Sequence, residues 1–341
     1  MKMRWLKKWF VAASMAATGT ALAAPTVLTV YTAFETDDLS AYKQAFEAKY
    51  PDIKINWVRN STGIIAAKLK AEKDNPRADV IWGVSVTDVE QLKKDGILEP
   101  YMPAEAEKIP AKFRDNDQPP SWIGTNGYVG AIIYNTVEGK KKNIPQPATW
   151  EDLTDPVYKD QIVMPNPAAS GTGFLCVSGW IQAWGEEKAW AYMDKLNQNV
   201  RQYTQSGSAP AVQAGRGETV VGIAFDLRGA RLLQDGAPIS ITLPKEALGW
   251  DLNAVAVIKG SPQLDAAKKL ADWATSTEAM KVYGKTRVVI AMPEYGAKLE
   301  GLPADETDRL LDQDFEWAAS NRERIIREFE KRYGAKAQAK S

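Results

Sequence analysis

Residues Thr26–Val58, TVLTVYTAFETDDLSAYKQAFEAKYPDIKINWV, hold two short β-type runs on either side of a helical repeat. TVLTVY (26–31) is rich in β-branched residues and reads as a strand. Leu39, Tyr42, Phe46 and Tyr50 recur at near-helical spacing, and IKINWV (53–58) alternates as a strand again. Strand, helix, strand predicts a crossover unit in a mostly parallel sheet flanked by helices. The pattern continues outward with a helix from Ile64 to about Lys73, ADVIWG (78–83) as a buried strand, and TDVEQLKKDG as a helix stopped by Gly96.

After the proline-rich DNDQPPSW (115–122), GYVGAIIYN (127–135) is a long apolar strand able to carry the chain into a second lobe. That lobe holds QIVMPN (161–166), helices over 173–184, 186–196 and SAPAVQAG (208–215), and the strands VVGIAF (220–225) and ISITL (239–243). LNAVAVIKG (252–260) returns as a second long strand, followed by the helices LDAAKKLADWAT and TEAMKVYG. Two long strands flanking an inserted α/β block imply two crossovers, a hinge and a cleft. The expected divisions are 24–125 with 250–300 as the first lobe and 126–249 as the second. A terminal segment, 301–341, holds a charged helix over about 305–333, with Leu310, Phe315, Trp317, Ile325 and Phe329 on its apolar side and a frayed tail.

Composition narrows the function. The chain has 341 residues, 45% hydrophobic and 25% charged, enough for two globular lobes. Lys plus Arg equals Asp plus Glu at 43 each, which removes the global basic surface that nucleic acid or an anionic membrane would favour. Histidine is absent, so Ser-His and Cys-His catalytic pairs and His-ligated metal sites are excluded. The single cysteine, Cys176, lies in the apolar run GFLCVSGW and reads as core. Residues 1–23 combine a basic start, a small apolar run and Ala21-Leu22-Ala23, a secretory signal with an A-x-A cleavage site. The expectation is a soluble exported protein, periplasmic in a cell with two membranes.

Ligands in open α/β sheets collect at the carboxyl ends of strands, where helix N-termini aim backbone N–H groups into the crevice. TAFETDD follows the first strand and offers Thr32 and Glu35; RNSTGII follows the second and offers Ser61, Thr62 and Gly63; WGVSVTD follows the third with Trp82 and Ser85. In the inserted lobe NPAASGTG (166–173) offers Ser170, Gly171 and Thr172, and FDLRG offers Asp226 and Arg228; Trp250 sits beside a glycine at the return. NSTG and SGTG share one logic: small residues let an anion approach the backbone, and the hydroxyls add donors. Helix capping accounts for either loop alone; two such loops from separate lobes suggest one oxyanion clamped between them. Gly171-Thr172-Gly173 lacks the third glycine of a dinucleotide fingerprint, and Ser40-x-x-Lys43 stands without the rest of its hydrolase signature. Trp82 and Trp250 either fill core or present a ring to an ammonium group.

LTVYTAFETDDLSAYKQAFEAKYPDIKINWVRNSTGIIAAKL, ADVIWGVSV, YNTVEGKKKNIPQPATWEDLTDPVYKDQIVMPNPAASGTG and GSAPAVQAGRGETVVGIAF together resemble the substrate-binding proteins of ABC importers. The likeness is to the ferric-ion and phosphate-ester branch of the two-lobed periplasmic binders, and within it to the 2-aminoethylphosphonate-binding proteins. It implies a two-lobed α/β fold of the type II periplasmic kind, each lobe a mixed sheet flanked by helices with a hinge and interlobe cleft, no enzymatic activity, no cofactor, a monomer, and a membrane ABC permease as partner. Iron carriers of the branch use a histidine in the first loop, a glutamate after the second strand and paired tyrosines after the strand that is VVGIAF here. This chain has no histidine, Gly63-Ile64 in the second place and Asp226-Leu227 in the third, which argues against iron.

The resemblance puts the branch's anion site on Ser170, Gly171 and Thr172, with Thr62 and Gly63 opposite. A 2-aminoethylphosphonate ligand then needs an acid for its ammonium, Glu35 or Asp226, while Arg228 either reinforces the anion or orients Asp226. The alternatives are a sugar phosphate, inorganic phosphate or a polyamine as cargo, an exported phosphoester or phosphonate hydrolase, or a purely structural domain.

Overall fold

The computed structural model describes residues 24–339; the expected signal sequence, 1–23, lies outside them. In chain order the first elements are β1 (Thr26–Thr32), α1 (Thr36–Lys49), β2 (Ile53–Arg59), α2 (Thr62–Ala71), β3 (Val80–Ser85), α3 (Val86–Lys94) and β4 (Leu98–Glu99). Then come β5 (Ile123–Asn135), α4 (Thr136–Lys142), β6 (Ile162–Pro165), α5 (Gly171–Trp184), α6 (Glu186–Asn199), β7 (Val200–Thr204), α7 (Ala209–Gly215), β8 (Val221–Phe225), α8 (Asp226–Gln234) and β9 (Ile239–Thr242). The chain ends with β10 (Trp250–Ile258), α9 (Leu264–Ala274), α10 (Thr277–Tyr283) and α11 (Phe315–Tyr333).

The opening unit forms as its pattern predicts: β1 lies parallel to β2, Thr26 beside Ile53, and α1 buries Leu39, Tyr42 and Phe46 against it. The sheet as a whole is mixed, as the resemblance implies, although strand–helix alternation alone predicts mostly parallel pairing. β1 pairs parallel with β2 and β3, and β6 with β7 and β8, but β10 runs antiparallel to β3, β4 and β5, and β5 antiparallel to β8 and β9. β5 and β10 are buried along their whole length. A strand covered on both faces is a continuous apolar run whichever way its neighbours point, so its sequence does not reveal its direction.

β5 joins the halves. Its first part, through Val129, pairs with β10, and from Gly130 onward it pairs with β8. Two hydrophobic clusters lie on either side, one around Tyr42, Phe46, Trp82 and Trp273, the other around Trp150, Trp180, Tyr192 and Phe329. Cys176 is buried in the second, where burial pushes its thiol up to about 12, consistent with a core role.

α11 straps the lobes together. Its Arg322 Nε donates to Asp88 of α3 at 3.0 Å, and its Tyr333 hydroxyl donates to Asp194 of α6 at 2.7 Å. The helix starts later than its composition suggests, capped by Asp314, whose carboxylate accepts from the Trp317 amide at 2.8 Å. Leu310 precedes it in extended chain. The expected fraying also fails over the described tail, since Gln338 N donates to Tyr203 O at 2.8 Å and Lys336 Nζ to Val200 O at 2.6 Å.

Candidate functional site

The lobes touch across a cleft of about 540 Å3, its open mouth included. The N-terminus of α5 forms the second lobe's wall. Ser170 is its cap, its Oγ accepting from Gly173 N at 3.4 Å, and the first amides of the helix have no carbonyl a turn earlier to meet. A side chain at Gly171 would overlap Ser85 Oγ and stand 2.6 Å from the Tyr128 hydroxyl. The residue must be glycine for the backbone to lie this close to the first lobe.

From the first lobe come the N-terminus of α2 and the end of β2. Ser61 is the α2 cap but its hydroxyl makes no capping bond, and Thr62 is buried beside it. Arg59 donates from Nε to Phe34 O at 2.8 Å and reaches Glu35 with Nη2 at 3.4 Å. Arg287 is 4% exposed, ion-paired with Asp38, and stacks 5.6 Å from the Phe34 ring. Tyr128, Phe225 and Asn253 complete the floor, with Ser206 and Gly207 at the side. The Gly207 backbone abuts the hydroxyls of Ser170 and Thr172, where a Cβ would stand 2.8 and 2.6 Å away. Two guanidiniums, several hydroxyls and a helix N-terminus against one carboxylate give the cleft more hydrogen-bond donors and positive charge than negative.

Six of the residues singled out from sequence line this cleft: Glu35, Ser61, Thr62, Ser170, Gly171 and Thr172. The others lie elsewhere. Thr32 is fully buried and accepts from Phe34 N at 3.1 Å, holding the first turn. Gly63 has its amide committed to Ala169 O at 3.0 Å, so it joins the lobes rather than meeting a ligand. Trp82 is core, its indole donating to the Tyr283 hydroxyl at 3.0 Å. Ser85 lies beneath Gly171, hydrogen-bonded to Tyr128.

The remaining three are also displaced from it. Asp226 is fully buried and accepts from Val129 N at 2.9 Å; burial raises its pKa, and it shares its enclosure with Glu306, whose pKa is raised by the same burial. Arg228 pairs with Asp37 at 3.4 Å in an adjoining cavity. Trp250 donates to Leu311 O at 2.8 Å and packs on Phe113 and Phe315. The cleft lies at strand ends, but only side chains pointing between the lobes line it.

Sequence reasoning missed Arg59, Tyr128, Ser206, Gly207, Phe225, Asn253 and Arg287. Two carried a local signal: Arg59 directly precedes the NSTG loop, and Ser206-Gly207-Ser208 repeats the hydroxyl-and-glycine pattern ahead of α7. Arg287 lies in an irregular segment after α10 and only the fold brings it in.

Known proteins resemble this one over most of its length. A structure of the periplasmic binding protein AfuA from Actinobacillus pleuropneumoniae, with exogenous fructose-6-phosphate bound, superimposes with a TM-score of 0.84 at 33% identity, covering 91% of this chain and 99% of that one. The "Probable ABC transporter periplasmic-binding protein y4fP" of Sinorhizobium fredii is 25% identical over 284 residues, 81% of this chain and 77% of that protein. The "Putative 2-aminoethylphosphonate-binding periplasmic protein" of Salmonella typhi is 26% identical over 271 residues, 75% of this chain and 76% of its own length. Residues 75–316 match the family described as bacterial extracellular solute-binding protein, and with this two-lobed fold the chain belongs to that family.

Proposed function

We propose that this protein captures a small solute with a terminal phosphoryl group between its lobes and presents the closed form to an ABC permease. One observation carries the reading: the α5 N-terminus, the hydroxyls of Ser61, Thr62, Ser170 and Thr172, and the guanidiniums of Arg59 and Arg287 all face one cleft. Opposed dipoles and fixed cations favour a compact oxyanion, and a ligand gripped from both sides favours closure. With no histidine in the chain, the site is read as binding without turnover, in the periplasm of a cell that exports it as a monomer.

The body of the solute is read as hydroxylated. Glu35 is the one carboxylate on the wall and is engaged by Arg59, while Asp226 is sealed away, so no free acid awaits an ammonium. The sugar phosphate bound to AfuA supports this choice. A second reading keeps 2-aminoethylphosphonate: Glu35 is half-buried in the cleft, and on releasing Arg59 it would meet the amine, as the Salmonella typhi relative's name suggests.

Thermal unfolding with fructose 6-phosphate, 2-aminoethylphosphonate, ethylphosphonate and phosphate tests both. A ligand at a hundred times its Kd should stabilise by about 2.7 kcal/mol. Fructose 6-phosphate is expected to raise Tm most, and 2-aminoethylphosphonate no more than ethylphosphonate. A larger shift with the amine selects the second reading. No shift with any of the four overturns the phosphoryl site.

A further inference from the structure

The cleft does not end at Arg287. Beyond that side chain a second cavity opens, about 770 Å3 with its mouth, and Glu35, Phe225 and Arg287 line both. Its wall also carries Arg228 and Arg231 of α8, Lys285 and Lys298. Three guanidiniums here share two carboxylates. Asp37 stands 3.4 Å from Arg228 and 3.0 Å from Arg231, and Asp38 holds Arg287 while lying 3.7 Å from Arg231.

Glu35 is engaged by Arg59, which leaves Glu300 as the remaining carboxylate on the wall. Lys285 and Lys298 are exposed and enter no ion pair among the described residues. Five cations thus meet Asp37, Asp38 and Glu300, a surplus of two positive charges. Cations that outnumber their carboxylates on an open wall leave N–H donors for an anion entering the cavity, and charge-assisted bonds to guanidinium and ammonium groups are the strong ones.

The geometry points to a second anion subsite: the solute's phosphoryl group lies between Thr62 and Thr172, and a second anionic group, carboxylate or phosphate, reaches past Arg287 to Arg228, Arg231, Lys285 and Lys298. This rests on the phosphoryl reading above and narrows it to bis-anionic phosphate esters, of the class of phosphorylated sugar acids and sugar bisphosphates. Such a solute would also tie α8 of the second lobe to the Asp38–Arg287 pair of the first.

Calorimetry with two matched pairs tests it: glucose 6-phosphate against 6-phosphogluconate, and fructose 6-phosphate against fructose 1,6-bisphosphate. Each pair adds one anion to a body of similar size. At low salt the bis-anion is expected to bind at least about tenfold more tightly, and the ratio to shrink as salt is raised. In Lys285→Gln/Lys298→Gln, which disturbs no ion pair among the described residues, the ratio is expected to fall toward one. Equal affinities within both pairs, or a preference undiminished by the double substitution, overturn the second subsite and leave the phosphoryl cleft standing. Failure of all four compounds to bind overturns the second subsite together with the hydroxylated-solute reading.

Discussion

Gly63→Ala is expected to impair closure without harming the fold. Gly63 lies in the first turn of α2, where its amide donates to Ala169 O at 3.0 Å across the cleft. A Cβ there would overlap the Ala168 carbonyl oxygen and stand 3.1 Å from the Ala169 carbonyl carbon and oxygen. These are backbone atoms and cannot turn aside as a side chain would. Overpacking of this kind costs about 1–3 kcal/mol, and loss of the interlobe hydrogen bond about 0.5–1.5 kcal/mol.

Only the closed state bears the penalty, because an opened cleft leaves α2 facing water, where alanine is a better helix residue than glycine by up to about 1 kcal/mol. Ligand affinity should therefore fall by about 2–4 kcal/mol, roughly 30- to 700-fold, while the ligand-free Tm holds or rises slightly. Calorimetry with fructose 6-phosphate, or whichever phosphoryl compound binds, reads the affinity, and small-angle scattering reads whether ligand still compacts the protein. Gly215→Ala at the end of α7, where a methyl has no neighbour nearer than 3.6 Å, serves as the control. Unchanged affinity in Gly63→Ala would refute the claim that the Gly63–Ala169 contact is part of the binding-competent state.

Thr172→Val keeps shape but removes a hydroxyl from the cleft; phosphoryl ligands should bind about 10- to 100-fold more weakly by calorimetry, with Tm unmoved. Burial pushes the Asp251 carboxyl up to about 7, against the hydrogen bonds from the Thr87 hydroxyl and the Leu252 amide, each at 2.7 Å. The folded chain then keeps a proton that the unfolded chain sheds from about pH 4, so stability falls as pH rises from about 4 to 7 and stays lower above. Asp251→Asn should remove that slope and exceed wild type at pH 8 by up to about 4 kcal/mol in a pH series of thermal unfolding, with no gain at pH 4. Parallel wild-type and variant curves would count against the buried acid. Arg322→Ala strands Asp88 without its cation inside the α3–α11 contact and should cost about 3–5 kcal/mol in urea unfolding, whereas Arg322→Met with Asp88→Leu should recover most of it.

Local pattern was enough to establish what this chain is built from. β-branched runs separated by helical repeats identified the α/β units, and the apolar runs 127–135 and 252–260 fall in β5 and β10, the two long buried strands. Ser61, Thr62, Ser170, Gly171 and Thr172 were legible because a helix N-terminus advertises itself in the few residues that start it. What tertiary structure decided was where those termini point and what joins them. Trp82 and Trp250 carry the same local signature as ligand-facing aromatics, yet pleat direction and neighbours far along the chain turn both into core. Asp226 follows its strand as a ligand residue would, but β5 passes over it and consumes the carboxylate at Val129 N. Arg287 reaches the cleft from a segment with no motif, paired with an aspartate 249 positions earlier. Short-range pattern reports backbone conformation, whose causes lie within a turn or two, while the charge balance of a cleft between lobes depends on residues hundreds of positions apart that only the folded chain brings together.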